Sequence, residues 1–170
     1  MRALRIATLL TAVLFLLGGS TFVAGAETDR SIGPVAGTLA VHQLPGGRFD
    51  VEDRVFQYRD YAVAGSAHHI SDPRLSGYLL SEWNWDVQSS GDVPIPAWGT
   101  MAIEGADGSW KGDFTGIRPS DFSPIGIRAV LFGEGDYEGL CATLDITALE
   151  LASGDTWVLN GIVHPLDMMS

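Results

Sequence analysis

Trp98-Gly-Thr-Met-Ala-Ile-Glu104 and Ser109-Trp-Lys-Gly-Asp-Phe-Thr-Gly-Ile117 flank Asp107-Gly108. An Asp-Gly pair between two alternating segments predicts a β-hairpin, because a type I′ turn needs positive φ at both central residues. With Asp107-Gly108 as a two-residue loop, Ala106 faces Ser109 and the pairing follows outward. Gly105 then faces Trp110, Ile103 faces Gly112, Met101 faces Phe114 and Gly99 faces Gly116, all on one apolar face. On the other face Glu104 meets Lys111, Ala102 meets Asp113 and Thr100 meets Thr115. Opposite charges and Thr–Thr pairs across strands each contribute roughly 0.2–1 kcal/mol. A slip by one residue would drive Lys111 and Asp113 into the apolar face. The glycines of that face make room for large rings on a strongly curved sheet, as a small closed barrel requires.

The same grammar extends in both directions. Val35–Leu44 reads as a first strand ended by Pro45-Gly46-Gly47. Phe49–Val55, with Asp50, Glu52, Asp53 and Arg54, reads as either a solvated loop or an edge. Phe56–Ile70 has strand character, Ser71–Arg74 turns at Pro73, and Leu75–Val87 is a long strand. Gln88–Pro96 and Arg118–Pro124 are loops, Ile125–Phe132 is a strand, and Gly133–Gly139 is a turn or bulge. Leu140–Leu151 alternates throughout, and a turn at Ser153-Gly154 or Gly154-Asp155 folds it onto Trp157–Val163. Either turn puts Leu144, Ile146 and Ala148 on one face with Trp157, Leu159 and Val163. The result is about eight strands joined by short turns. This predicts an all-β chain, an eight-stranded antiparallel up-and-down β-barrel of calycin-like form, with a β-sandwich as the alternative.

Residues 1–26 read as a cleaved secretory signal peptide, leaving 27–170 as one barrel domain. Arg2 and Arg5 precede the apolar run Ile6–Leu17, and Ala24-Gly25-Ala26 is a small-residue cleavage site. The expected destination is outside the cell or in the periplasm or envelope, with no stable membrane anchor after cleavage. The mature chain keeps eight Lys and Arg against 21 Asp and Glu, a net charge of −13. Nucleic acid is a poor partner for such a surface. Cys141 is the only cysteine, so the domain has no internal disulfide. It has no neighbouring His or Lys in sequence to lower its pKa, and reads as a small buried hydrophobe.

Gly133-Glu-Gly-Asp-Tyr-Glu-Gly-Leu140 after an apolar strand resembles the Gly-x-Gly-x-aromatic-x-Gly segment of allene oxide cyclase and dirigent proteins. With Ser71-Asp-Pro-Arg-Leu-Ser-Gly77, Trp98-Gly-Thr100 and Gly108-Ser-Trp-Lys-Gly112, it is also similar to a set of exported bacterial proteins of unassigned function. The motifs span about residues 71–142, half the chain. The resemblance implies an eight-stranded barrel, whose interior in the plant enzymes cyclises an unstable epoxide and in dirigent proteins orients radical coupling. Homo-oligomers are a further expectation from it. No catalytic residue of those families aligns here, and fold likeness alone does not transfer function.

Chemistry-bearing residues are sparse. His68-His69 point to opposite faces of a strand, and Glu82, Asp86 and His42 offer no recognisable metal spacing around them. Asp107, Asp113, Glu134, Asp136 and Glu138 match no calcium loop. No metal and no cofactor is expected. Glu82, Asn84 and Asp86 alternate with Ser81, Trp83 and Trp85. Either the tryptophans face the core, or the polar set lines a cavity where Glu82 acts as acid or base beside Arg128. Asp145 and His164 lie across from one another in one register of the last hairpin, as a surface ion pair. Three functions follow. The first is a barrel holding a small, mainly apolar molecule in its lumen, with Tyr137, Trp110 and Phe114 as its walls or as plain core. The second is a cyclase or isomerase using a desolvated Glu82 or Asp60. The third is an envelope interaction protein with a filled core and an exposed Trp83–Trp85 patch.

Overall fold

The computed structural model describes residues 31–90, 93–120, 124–148 and 155–169. Residues 1–26, expected above to be a signal peptide, Leu149–Leu151 and the expected Ser153-Gly154 turn lie outside the described residues. Among the described residues nine strands form one antiparallel sheet: β1 Gly33–Gln43, β2 Arg48–Glu52, β3 Val55–Ile70, β4 Gly77–Gln88, β5 Ile95–Glu104, β6 Gly108–Arg118, β7 Ile125–Gly135, β8 Leu140–Ala148 and β9 Asp155–Pro165. Neighbours follow chain order from β9 back to β2, β1 lies beside β9, and β1 also pairs with β3. The β1–β3 pairing closes eight strands into an up-and-down barrel and leaves β2 outside it. The sandwich is thereby excluded. Closure pairs β1 on both sides, so that the one described strand left with an unpaired edge in the sheet order is β2.

The segment left open between loop and edge, Phe49–Val55, is an edge strand and its turn. β2 folds back on the first half of β3 through a two-residue loop, with Glu52 opposite Val55. Asp53 and Arg54 in that loop have φ of 47° and 68°, the signature of a type I′ turn.

The organising hairpin does not turn where its sequence suggests. Glu104 faces Ser109, Ile103 faces Trp110, Met101 faces Gly112 and Gly99 faces Phe114. The register is two residues from the expected one, and Gly105–Gly108 make a four-residue connection closed by Gly105 N–H donating to Gly108 C=O at 2.9 Å. Neither Asp107 nor Gly108 has positive φ. A tertiary contact overrides the local preference. Gly108 is drawn into the β6–β7 ladder opposite Gly135, and Asp136 N–H donates to Asp107 C=O at 3.1 Å. Because side chains alternate with period two, a two-residue shift keeps every residue on its expected face. Lys111 loses its expected partner Glu104 and instead pairs with Glu134 on β7 at 2.7 Å. The last hairpin behaves alike. Ile146 faces Leu159, and the faces hold although neither expected register does.

The lumen is filled along its middle. Trp83 meets Phe114 at 4.4 Å and Trp157 at 5.3 Å between ring centroids, and all three are buried. Gly99 lies beneath this cluster, where an added Cβ would meet the Glu82 carbonyl and come within 2.9 Å of Phe114 Cζ. One barrel end is plugged. Trp110 stacks on Tyr137 at 5.4 Å, and its Nε1 donates to the Arg74 carbonyl at 2.7 Å. Asp72 caps the 3₁₀ turn Pro73–Leu75 and accepts Arg74 Nη2 at 2.6 Å.

Candidate functional site at the second barrel end

The other barrel end carries an aromatic shelf that the sequence reading missed. β3 and β4 continue past β1, and β2 widens this extension to three strands. Phe49, Tyr58 and Trp85 face one another across β2, β3 and β4. Ring centroids lie 5.1 Å apart for Phe49–Tyr58 and 4.9 Å for Tyr58–Trp85, the latter nearly parallel at 11°. Tyr61 stands 4.9 Å from Trp85, and Phe56 stacks 6.0 Å from Phe49. Trp85 shares the inward face of β4 with Trp83, so the shelf continues the lumen wall. Burial grades along it. Tyr61 and Trp85 pack against the core, whereas Phe49 is 54% exposed.

A bulge builds this surface. Tyr58 faces Trp85 and Tyr61 faces Trp83, so β3 carries one residue more than β4 between those pairs. Asp60, within the bulge, has φ of 59°, a conformation L residues seldom adopt. Its N–H donates to Asn84 Oδ1 at 3.2 Å, and its carboxylate binds Arg48 Nε at 2.6 Å. Arg59 braces the other side. Its Nη1 donates to the carbonyls of Tyr58 and Trp85 at 2.8 and 3.2 Å, Nη2 meets Asp86 at 2.6 Å, and the guanidinium lies 5.0 Å from the Trp98 ring centroid. Gly47, at φ of 93°, passes against Tyr61, whose ring leaves only 2.7 Å to an added Cβ. The charges therefore stand on the outer side of the strands whose inner side holds the rings.

The residues singled out from sequence fall elsewhere. Trp110 and Phe114 are buried core, and Tyr137 belongs to the plug. Burial, followed by the carboxylates of Asp107, Asp136 and Asp72, pushes the Tyr137 phenol above its ordinary pKa. Glu82 is exposed on the outer wall opposite Thr100, with β5 and β6 between it and the strand of Arg128. Trp83 is core, so the polar set of β4 does not line the lumen and no joint Trp83–Trp85 patch exists. Arg128 forms a two-bond pair with Asp145 at 2.8 and 3.1 Å. His164 faces Cys141 instead of Asp145, which faces Asn160. Cys141 is buried, and that burial raises its thiol pKa. His68 and His69 are both exposed near the end of β3. No group of three or more metal-ligating side chains gathers among the described residues.

Comparisons with protein-family models, curated proteins and solved structures return no match for this chain.

Proposed function

We propose that this chain is an exported barrel protein that binds a small, mainly apolar molecule at the mouth of its barrel, without catalysis. One observation carries the reading: five rings share the inward face of an extension that only partly buries them. Aromatic faces left half-open at a barrel mouth supply apolar area and stacking, worth about 0.5–1.5 kcal/mol per ring pair beyond burial. Trp83, Phe114 and Trp157 fill the middle of the lumen, so the ligand rests above them. The likeness to the allene oxide cyclase and dirigent barrels belongs to this proposal. The enzymatic alternative needs a desolvated acid or base. Glu82 is exposed, and the Asp60 side chain is 43% exposed and paired with Arg48.

The test is a titration with a planar apolar fluorophore, alongside native mass spectrometry of the protein from its own source. Saturable binding that weakens about fivefold in Phe49→Ala, roughly 1 kcal/mol, supports the reading. Equal binding by Phe49→Ala and Tyr58→Ala, with no retained small molecule in the native spectrum, overturns it.

A further inference from the structure

β2 is the last strand of the sheet order and pairs on one side only, with β3. All five of its residues are exposed, Phe49 and Val51 at 54% and 53%. Such an edge offers unpaired backbone groups to another strand. The two-residue turn decides which ones. The pair flanking a type I′ loop exchanges both ladder bonds, and bonded and non-bonded pairs alternate from there. Glu52, Asp50 and Arg48 therefore bond to β3, and Phe49 and Val51 turn their N–H and C=O to the free edge. Val51 N–H already donates to Asp50 Oδ1 at 2.8 Å. The open pair of backbone groups is that of Phe49.

We propose that this edge pairs with the same edge of a second copy, antiparallel about a two-fold axis through Phe49. In that register Phe49 meets Phe49 of the other copy and exchanges both backbone bonds with it. Arg48 meets Asp50 of the other copy, and Asp50 meets its Arg48, so both charge pairs are attractive. The even offset keeps apolar side chains against apolar ones; an odd offset sets Phe49 against a charge. A two-fold contact must be self-complementary, and Arg-Phe-Asp is self-complementary about its centre. The Arg48 side chain is 77% exposed while held at Nε by Asp60, which leaves its outer nitrogens open to a partner carboxylate. The rows Trp85–Tyr58–Phe49 of the two copies then join into one ribbon of six rings across the interface.

Sedimentation of the purified protein across a concentration series tests this, with two charge-reversal variants. At the two charged positions of the contact, 48 and 50, R48D leaves only negative charge and D50R only positive. Each alone is expected to sediment as a monomer where the parent protein dimerises, and an equimolar mixture of the two is expected to regain the dimer. The matched circular dichroism of parent and variants separates loss of pairing from loss of folding. Phe49→Pro, which removes only a free-edge N–H and the ring, is expected to abolish the dimer as well. A parent protein that stays monomeric at ~1 mM overturns the proposal. So does a dimer that both single variants retain, or a folded mixture that fails to re-pair.

Discussion

Tyr58 and Tyr61 are three residues apart on β3, yet their rings lie 5.9 Å from each other on the same side of the sheet. Strict alternation would send them to opposite sides. The extra residue in the bulge carries the whole difference. Deleting Asp60 is expected to restore alternation and turn either the ring-bearing half of β3 or its register with β4 outward. Probe binding at the mouth is then lost while the core signal of Trp83 and Trp157 persists. Intrinsic fluorescence with probe titration reads both, and retained binding after the deletion contradicts the role of the bulge.

Trp83 joins the sheet halves through Phe114 and Trp157. Trp83→Ala is expected to cost about 3–5 kcal/mol, by lost transfer energy and the cavity left behind. Trp83→Phe should cost clearly less. Urea unfolding of both variants measures the gap, and equal losses would mean the site does not pack as described.

Gly99 and Gly126 make an internal comparison. A methyl group at Gly99 runs into the Glu82 carbonyl and Phe114, whereas at Gly126 nothing lies within 4 Å. Gly99→Ala is expected to destabilise by about 1–3 kcal/mol, and Gly126→Ala by less than about 0.5 kcal/mol. Denaturant midpoints give the order directly.

The plug depends on a mostly buried ion pair, with the Asp72 and Arg74 side chains 9% and 12% exposed. Removing one partner strands the other, so Asp72→Ala is expected to cost about 3 kcal/mol, including its bond to Arg74 N–H. A double-mutant cycle with Arg74→Leu should return a coupling of at least about 1 kcal/mol. Simple additivity would contradict the pairing.

Acid should weaken the outer wall in a defined window. The Lys111 ammonium, then the Ser109 hydroxyl, hold the Glu134 carboxyl below its ordinary pKa. Arg128 does the same for Asp145. A carboxyl lowered on folding contributes stability above its unfolded pKa and loses it as pH falls toward the lowered value. Glu134→Gln should therefore be less stable than the parent at pH 7, with the gap closing below about pH 4.3. Because both groups are exposed, the gap is small. A gap independent of pH between 7 and 3 would sink this assignment.

Strand identity and facing were legible because they rest on period-two patterning, which survives a two-residue slip. Ile103, Met101, Trp110 and Phe114 share the inner face despite the misjudged turn. The turn itself was not legible. Asp107-Gly108 carries the type I′ signal, but docking against Gly135 and Tyr137 decides its geometry. The true type I′ turn, Asp53-Arg54, lacks the glycine that would have announced it. The shelf was hidden for a related reason. Phe49 and Val51 alternate with charges and resemble a solvated segment, and only the odd spacing of Tyr58 and Tyr61 hinted at a bulge. Alternation with Trp83 left two positions open for Glu82, outer wall or cavity lining, and the burial of Trp83 decides for the outer wall.

Barrel closure sets the timetable of folding. β1 is flanked by β3 and β9, and Gly33 at its start lies opposite Val163. The first strand therefore cannot complete its ladder until the last has been delivered. Throughout synthesis, one side of β1 and the leading strand of the growing sheet both lie bare. Contacts of such long sequence separation make folding slow and expose strands to aggregation. The nascent protein thus has its most vulnerable interval just before β9 arrives.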